Sequence, residues 1–344
     1  MSRIFKGIFS YKYLKPYTMS SVTSSAASLP QGFIPVMLTP FLESGEVDYE
    51  GLKALTDLYL EAGAAGLFAN CLSSEMYELS VEERLKVTRT VVEHTAGRVP
   101  VVATGTFGGP IPEQAQFVKR IYETGVQAVI VITGLLADED ESDEVFIQRA
   151  KELISLTSEV PLGFYECPVP YKRLISSEVL AELLPSNRII YHKDTCLDIE
   201  EVIRRIKVAE GYRFGLYDAY MVNATASLKA GAAGLSCIQG NIYPELIVWI
   251  CKNYNNAERQ EDVKALQAFF VESMDIVHSA YPIIAKYCLQ KRGFPISTYT
   301  RRDVGELTTD LQERADQLLD EVDRIQAALG IPSVFKKTLE APLK

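Results

Sequence analysis

Two rhythms of apolar residues alternate along this chain. Short, nearly continuous apolar runs are each followed by a longer stretch in which apolar residues return every three or four positions. The runs at 33–39 (FIPVMLT), 66–70 (GLFAN), 99–105 (VPVVATG), 128–133 (AVIVIT), 161–165 (PLGFY), 188–193 (RIIYHK), 213–217 (RFGLY) and 234–238 (GLSCI) predict eight strands. Because they are apolar throughout and do not alternate with polar residues, they read as parallel strands buried on both faces. The intervening stretches carry helix signals. Asp48 caps a helix with Leu52, Leu55 and Tyr59 on one face; Ser80 and Glu83 form a capping box ahead of Val81, Leu85, Thr88 and Val92; Asp198 caps IEEVIRRIKV. One junction recurs three times, as EAGAAGLFAN (61–70), ETGVQAVIVI (123–132) and KAGAAGLSCI (229–238), with Gly63, Gly125 and Gly231 where a helix end wants a residue able to take positive φ. Eight repeating βα units predict an α/β fold, a (β/α)8 TIM barrel at 32–245. A doubly wound sheet is the alternative; it usually has fewer strands, and no G-x-G-x-x-G follows the first run. Residues 246–344 read as a C-terminal helical extension, and 1–31 stand apart.

That leading segment is basic and Ser-rich, and the first acidic residue of the chain is Glu43. Its composition suits a disordered extension, or an upstream start codon with the true start at Met19, better than a targeting peptide, for which it is poor in Arg.

Composition narrows the function. The chain has 344 residues, 47% of them hydrophobic, and a net charge of −10, with no Lys/Arg block, which argues against a nucleic-acid partner. No apolar run is long enough for a membrane span. The six cysteines are scattered without a C-x-x-C pair, which suits a reducing, cytoplasmic setting and argues against a zinc ribbon or disulfide framework.

The candidate chemistry begins with RIIYHKDT (188–195), a buried strand that ends on a lysine. A buried Lys is costly unless its perturbed state is used. In a barrel, chemistry sits at the C-terminal strand ends. Alternation points Tyr191 and Lys193 into the barrel and His192 out; on the preceding strand it points Tyr165 in and Phe164 and Glu166 the other way. A desolvated Lys193 is expected to have a depressed pKa and a free amine that attacks a ketone to form a Schiff base. Tyr165 is the proton relay such chemistry needs. A 2-oxo acid also needs a carboxylate cradle, for which the loop NCLSSEMYELS offers Ser73 and Ser74.

With these residues placed, the chain resembles the dihydrodipicolinate synthase / N-acetylneuraminate lyase family of class I, pyruvate-dependent aldolases. The resemblance runs from about Gly32 to about residue 295, through GFIPVMLTPF, ELSVEER, GRVPVVATG, the Tyr165-Glu166-Cys167-Pro168 motif and HKDT. It implies Lys193 as Schiff-base former, Tyr165 as relay, Ser73 and Ser74 at the substrate carboxylate, and no metal or organic cofactor. It also implies that Thr195, Tyr217, Asp218 and Ser236, with Gln239 and Asn241, lie where substrate is read, and that the protein is a homotetramer or homodimer. The chain departs from the family in three places. Leu72 replaces the first hydroxyl of the NCLSSEMYELS loop, Leu135-Leu136 replace a Tyr-Tyr pair that reaches a neighbouring subunit, and Pro170 replaces an arginine, with Tyr171, Lys172 and Arg173 just beyond. These favour a Schiff-base lyase, an aldolase or dehydratase, acting on a 2-keto-3-deoxy sugar-acid-like substrate. A true dihydrodipicolinate synthase, condensing pyruvate with aspartate semialdehyde, is the rival enzyme. A non-catalytic barrel that binds a 2-oxo acid is the rival of another class.

Blander roles are expected elsewhere. Cys71, Cys167, Cys196 and Cys237 fall near C-terminal strand ends and read as small buried thiols rather than metal ligands. His94, His192 and His278 read as structural, and DEDESDE (138–144) as a solvated acidic helix start.

Overall fold

The structure, a computed structural model, describes residues 30–335; the leading segment discussed above lies almost wholly outside them. Eight parallel strands follow one another: β1 (Gly32–Phe33), β2 (Leu67–Ala69), β3 (Val101–Thr104), β4 (Ala128–Ile132), β5 (Leu162–Tyr165), β6 (Ile189–Asp194), β7 (Gly215–Asp218) and β8 (Gly234–Leu235). Each strand pairs with its sequence neighbours and β8 returns to β1. Between β1 and β2 the ring is closed by Met37 N–H to the Phe68 carbonyl and Phe68 N–H to the Pro35 carbonyl, both at 3.0 Å. This is the (β/α)8 TIM barrel that the eight apolar runs require.

The outer ring is α1 (Tyr49–Ala62), α2 (Val81–Thr95), α3 (Ile111–Tyr122), α4 (Asp143–Leu156), α5 (Ser177–Leu183), α6 (Ile199–Val208), α7 (Ala224–Ala230) and α8 (Pro244–Asn253). Asp48 and Asp198 cap α1 and α6, and Ser80 and Glu83 form the capping box of α2. Gly63 and Gly231 end α1 and α7 at φ 92° and 104°, the region where a Cβ is penalised. Because α8 packs on α1 and β1, the ring runs on past the boundary expected at 245. The C-terminal addition is α9 (Gln260–Glu272), α10 (Met274–His278), α11 (Ile283–Lys291) and α12 (Thr309–Leu329).

Alternation divides the sheet's side chains between two apolar layers. Val129 and Val131 face the helices, while Ile130 and Ile132 fill the barrel with Ile34, Val36 and Phe68. On β6 the alternation is interrupted. Leu162 pairs with Ile189 and Gly163 with Tyr191, so Ile190 is an extra residue in a bulge. A Cβ on Gly163 would lie 2.7 Å from the Tyr191 Cβ, so only glycine lets the two strands meet there.

Candidate active site

Beyond the bulge, Tyr165 and Lys193 are register partners on β5 and β6. The Lys193 side chain is buried, and its Nζ lies 4.4 Å from the Tyr165 ring centroid. Burial lowers the Lys193 pKa, since the ammonium loses its water; Cys71, Cys167, Cys237 and Glu166 oppose the shift. The thiols give little opposition near neutrality, because burial pushes them up in turn, Cys167 to about 11 and Cys237 to about 12. Glu166, behind the strands, is the one ionised group among these four. Burial also raises the Tyr165 phenol well above 10, with nearby Cys167 adding to the shift, so Tyr165 keeps its proton at neutral pH.

Lys193 and Tyr165 open into a cavity of about 290 Å³ at the C-terminal strand ends. Ser73 and Thr195 also line it, as do Leu72, Pro168 and Lys172. The C-terminal addition supplies Met274, His278, Tyr281, Pro282 and Arg302. His278, read from the sequence as structural, lines the cavity and pairs its Nδ1 with the Met274 carbonyl at 2.7 Å. Besides Lys193, the lining holds the cationic Lys172 and Arg302 and a histidine, and among the described residues it holds no carboxylate. In a chain of net charge −10 this is a local positive field, which favours an anionic ligand.

A buried ion pair brings the C-terminal segment to the mouth. The Glu75 carboxylate, on the loop after β2, meets Lys286 Nζ at 2.8 Å and accepts from the Arg301 and Arg302 backbone N–H groups at 2.6 and 3.0 Å. Lys286 also donates to the Tyr299 carbonyl at 2.7 Å. Nothing in the sequence spacing marks this pairing, because 211 residues separate its partners.

Four of the expected site residues lie away from the cavity. Ser74 Oγ donates to the Met37 carbonyl at 2.6 Å and accepts from Cys71 N–H at 3.0 Å, so its hydroxyl shapes the loop. Ser236 Oγ donates to the Ile34 carbonyl at 2.9 Å inside the barrel. Tyr217 points inward but toward the opposite end, where it stacks on Tyr191 at 4.6 Å and donates to the Pro30 carbonyl. Asp218 is buried outside the cavity, accepting from Tyr220 N–H at 2.8 Å. Of the further candidates, Asn241 is buried beside the cavity, and Gln239 is buried as well.

Asp218 carries a pH signature. Burial, and then the charge of Asp194, push its carboxyl up to about 7. The native state therefore binds a proton that the unfolded chain releases, and this residue costs stability as pH rises from about 4 to 7. Asp218→Asn should stabilise the protein, and by about 2 kcal/mol more at pH 8 than at pH 5. Urea denaturation at the two pH values measures the difference; equal gains would contradict this reading.

Behind the strands lies a buried charge cluster. Arg205, on α6, meets Glu166 at 2.8 Å and Asp194 more closely still, with Glu201 at 3.5 Å. Burial pushes the Glu166 pKa up, but His192 and Arg205 more than offset it and hold the carboxyl below the usual range. Glu166 also accepts from Ile175 and Thr195 N–H groups. Glu166, His192 and Asp194 could together face a cation, with one ligand atom each within 4.8 Å of the others. The Arg205 guanidinium already bridges both carboxylates, which disfavours a metal there.

Comparison with known proteins places this geometry in context. Residues 29–322 match the model of the dihydrodipicolinate synthetase family. A 4-hydroxy-tetrahydrodipicolinate synthase of Polynucleobacter asymbioticus is 27% identical over 292 residues, covering 82% of this chain and 92% of the relative. Its counterpart in Aromatoleum aromaticum is 26% identical, covering 82% and 95%. Among solved structures, YagE of E. coli K12, a family protein in complex with pyruvate, superposes with a TM-score of 0.76 at 22% identity, covering 85% of this chain and 98% of YagE. The dihydrodipicolinate synthase of Acinetobacter baumannii superposes with a TM-score of 0.76 at 23% identity, covering 85% and 99%. The matched span takes in the barrel, the Lys193–Tyr165 pair and most of the C-terminal helices, and the chain belongs to the dihydrodipicolinate synthetase family.

Proposed function

We propose that this protein is a class I lyase that cleaves or dehydrates a 2-oxo acid through a Schiff base on Lys193, with pyruvate as the enamine half. The observation that carries the reading is a buried lysine of lowered pKa, register-paired with a buried tyrosine, in a cavity that Lys172 and Arg302 also line and that holds no carboxylate among the described residues. The Lys193 amine attacks the C2 carbonyl, and the carbinolamine loses water to give an imine. Tyr165, still protonated at neutral pH, donates to the departing hydroxyl and then takes a proton back as the enamine forms. Ser73 and the N–H groups of the β2 loop hold the carboxylate, and Lys172, His278 and Arg302 line the space for the distal half.

A 2-keto-3-deoxy sugar-acid-like substrate fits this reading best. The loop after β4 carries Leu135 and Leu136, and Pro170 stands where a synthase arginine is expected, so contacts that the condensation would use are missing. The name shared by the two relatives above favours the second reading, condensation of pyruvate with aspartate semialdehyde. Turnover assays with 2-keto-3-deoxy sugar acids and with aspartate semialdehyde plus pyruvate separate the two. Release of pyruvate from the sugar acids is the expected result, and turnover confined to aspartate semialdehyde would overturn it. In the same assay, Tyr165→Phe should lower kcat by about 10²–10⁴-fold, the usual worth of a placed proton donor. An unchanged kcat would remove Tyr165 from the mechanism.

A further inference from the structure

The basic side chains around the cavity mouth divide into those already neutralised and those left open. Lys286 is occupied by Glu75 and the Tyr299 carbonyl. Arg301 grips both oxygens of Glu83, at 2.7 and 2.9 Å, and donates to the Gly45 and Glu78 carbonyls. Arg173 meets Asp143 at 3.0 Å and donates to the Asp138 and Glu141 carbonyls. Two cations next to these remain open. Arg302 follows Arg301 and Lys172 precedes Arg173. Both line the cavity, and among the described residues neither side chain makes an ion pair or a hydrogen bond.

The Arg302 backbone is fixed although its guanidinium is open. Its N–H donates to Glu75 at 3.0 Å, and its carbonyl accepts from the Thr300 hydroxyl at 3.0 Å. Glu75 stands two residues after Ser73, so the loop after β2 anchors this arginine as well as lining the cavity. A cation on a fixed backbone has less freedom to lose on binding than one on a mobile loop.

From this arrangement we infer that Arg302, with Lys172 beside the same cavity, binds a second anionic group of the substrate, which is then a 2-oxo acid whose distal end carries a carboxylate or a phosphate. The balance of charge supports it. Two open cations face a cavity without a carboxylate among the described residues, and the C1 carboxylate of a 2-oxo acid balances one of them. A neutral distal end would set hydroxyls against a guanidinium whose planar fork matches carboxylate and phosphate oxygens. An ammonium would meet no counter-charge on this wall, which counts against aspartate semialdehyde. The inference rests on the 2-oxo acid reading above; it names the chemistry of the distal half and does not require the imine.

The test compares ligands of one length on the full-length chain by calorimetry. 2-Oxoglutarate and 2-oxopentanoate differ only at C5, a carboxylate in one and a methyl in the other; 2-oxo-4-phosphonobutanoate carries a phosphonate there. Wild-type protein should bind 2-oxoglutarate or the phosphonate about 10–100-fold more tightly than 2-oxopentanoate, and the tighter of the two identifies the group. The preference should shrink as salt is raised, a readout that needs no variant. Arg302→Gln should cut it to about threefold or less, leaving 2-oxopentanoate within about twofold of wild type, and Arg302→Lys should keep part of it. Equal binding of charged and uncharged tails in wild type would overturn the inference and leave the 2-oxo acid reading standing. A preference untouched by Arg302→Gln would place the anion elsewhere and overturn it too. Should neither these ligands nor pyruvate bind, the 2-oxo acid reading falls, and the inference with it.

Discussion

Protein incubated with pyruvate and then reduced with borohydride is expected to carry one stable adduct, on Lys193, and Lys193→Met to carry none. The reason is local. Burial of the Lys193 amine lowers its pKa from 10.5, which raises the share of free amine at any given pH. Labelling should therefore be faster than that of exposed lysines at the same pH. Turnover in Lys193→Met should fall by at least about four orders of magnitude, which corresponds to roughly 5.5 kcal/mol of barrier. Peptide mapping by mass spectrometry checks the site. An adduct on a different lysine, or none in folded protein that binds pyruvate, would sink the Schiff-base mechanism and leave a silent 2-oxo-acid-binding barrel.

The largest stability effect is expected from Arg205→Met. The Arg205 side chain is 1% exposed and its guanidinium bridges Glu166 and Asp194. These carboxylates follow directly after Tyr165 and Lys193, on the opposite face of the same strands. Removing the guanidinium leaves the buried Asp194 without a cation and Glu166 with only His192 at 3.6 Å, a loss of about 3–5 kcal/mol. His192 cannot replace it, since it lies 3.6 Å from Glu166 and pairs with no other carboxylate among the described residues. Because the two strand ends are no longer held together, the rate of Lys193 trapping should fall as well. Urea denaturation gives the stability and timed borohydride quenching gives the rate. A loss below about 1 kcal/mol with unchanged trapping would show that the strands need no such clamp.

The barrel was legible because its signals are local. Each strand is a short apolar run, each following helix has its own cap, and the αβ junction repeats at Gly63, Gly125 and Gly231. Inward placement of Tyr165 and Lys193 also followed from alternation, and the structure puts both in one cavity. The family resemblance reached too far at Tyr217 and Ser236, which it put where substrate is read. Both point into the barrel, yet their hydroxyls are taken by the Pro30 and Ile34 carbonyls. Alternation tells which face a side chain takes and says nothing of how high along the barrel its polar atom ends.

The sequence by itself therefore determined the eightfold βα order, the caps and the lysine–tyrosine pair, because those depend on neighbours within one or two elements. Tertiary structure alone decided the bulge at Ile190, the Arg205 clamp, the Glu75–Lys286 pair and the Asn241–Tyr281 hydrogen bond. Most of these join residues from distant segments, and a single hydrogen bond or ion pair leaves no periodic trace in sequence. The cavity's outer half comes from the C-terminal helices, whose amphipathic pattern shows that they pack but not which face of the barrel they cover.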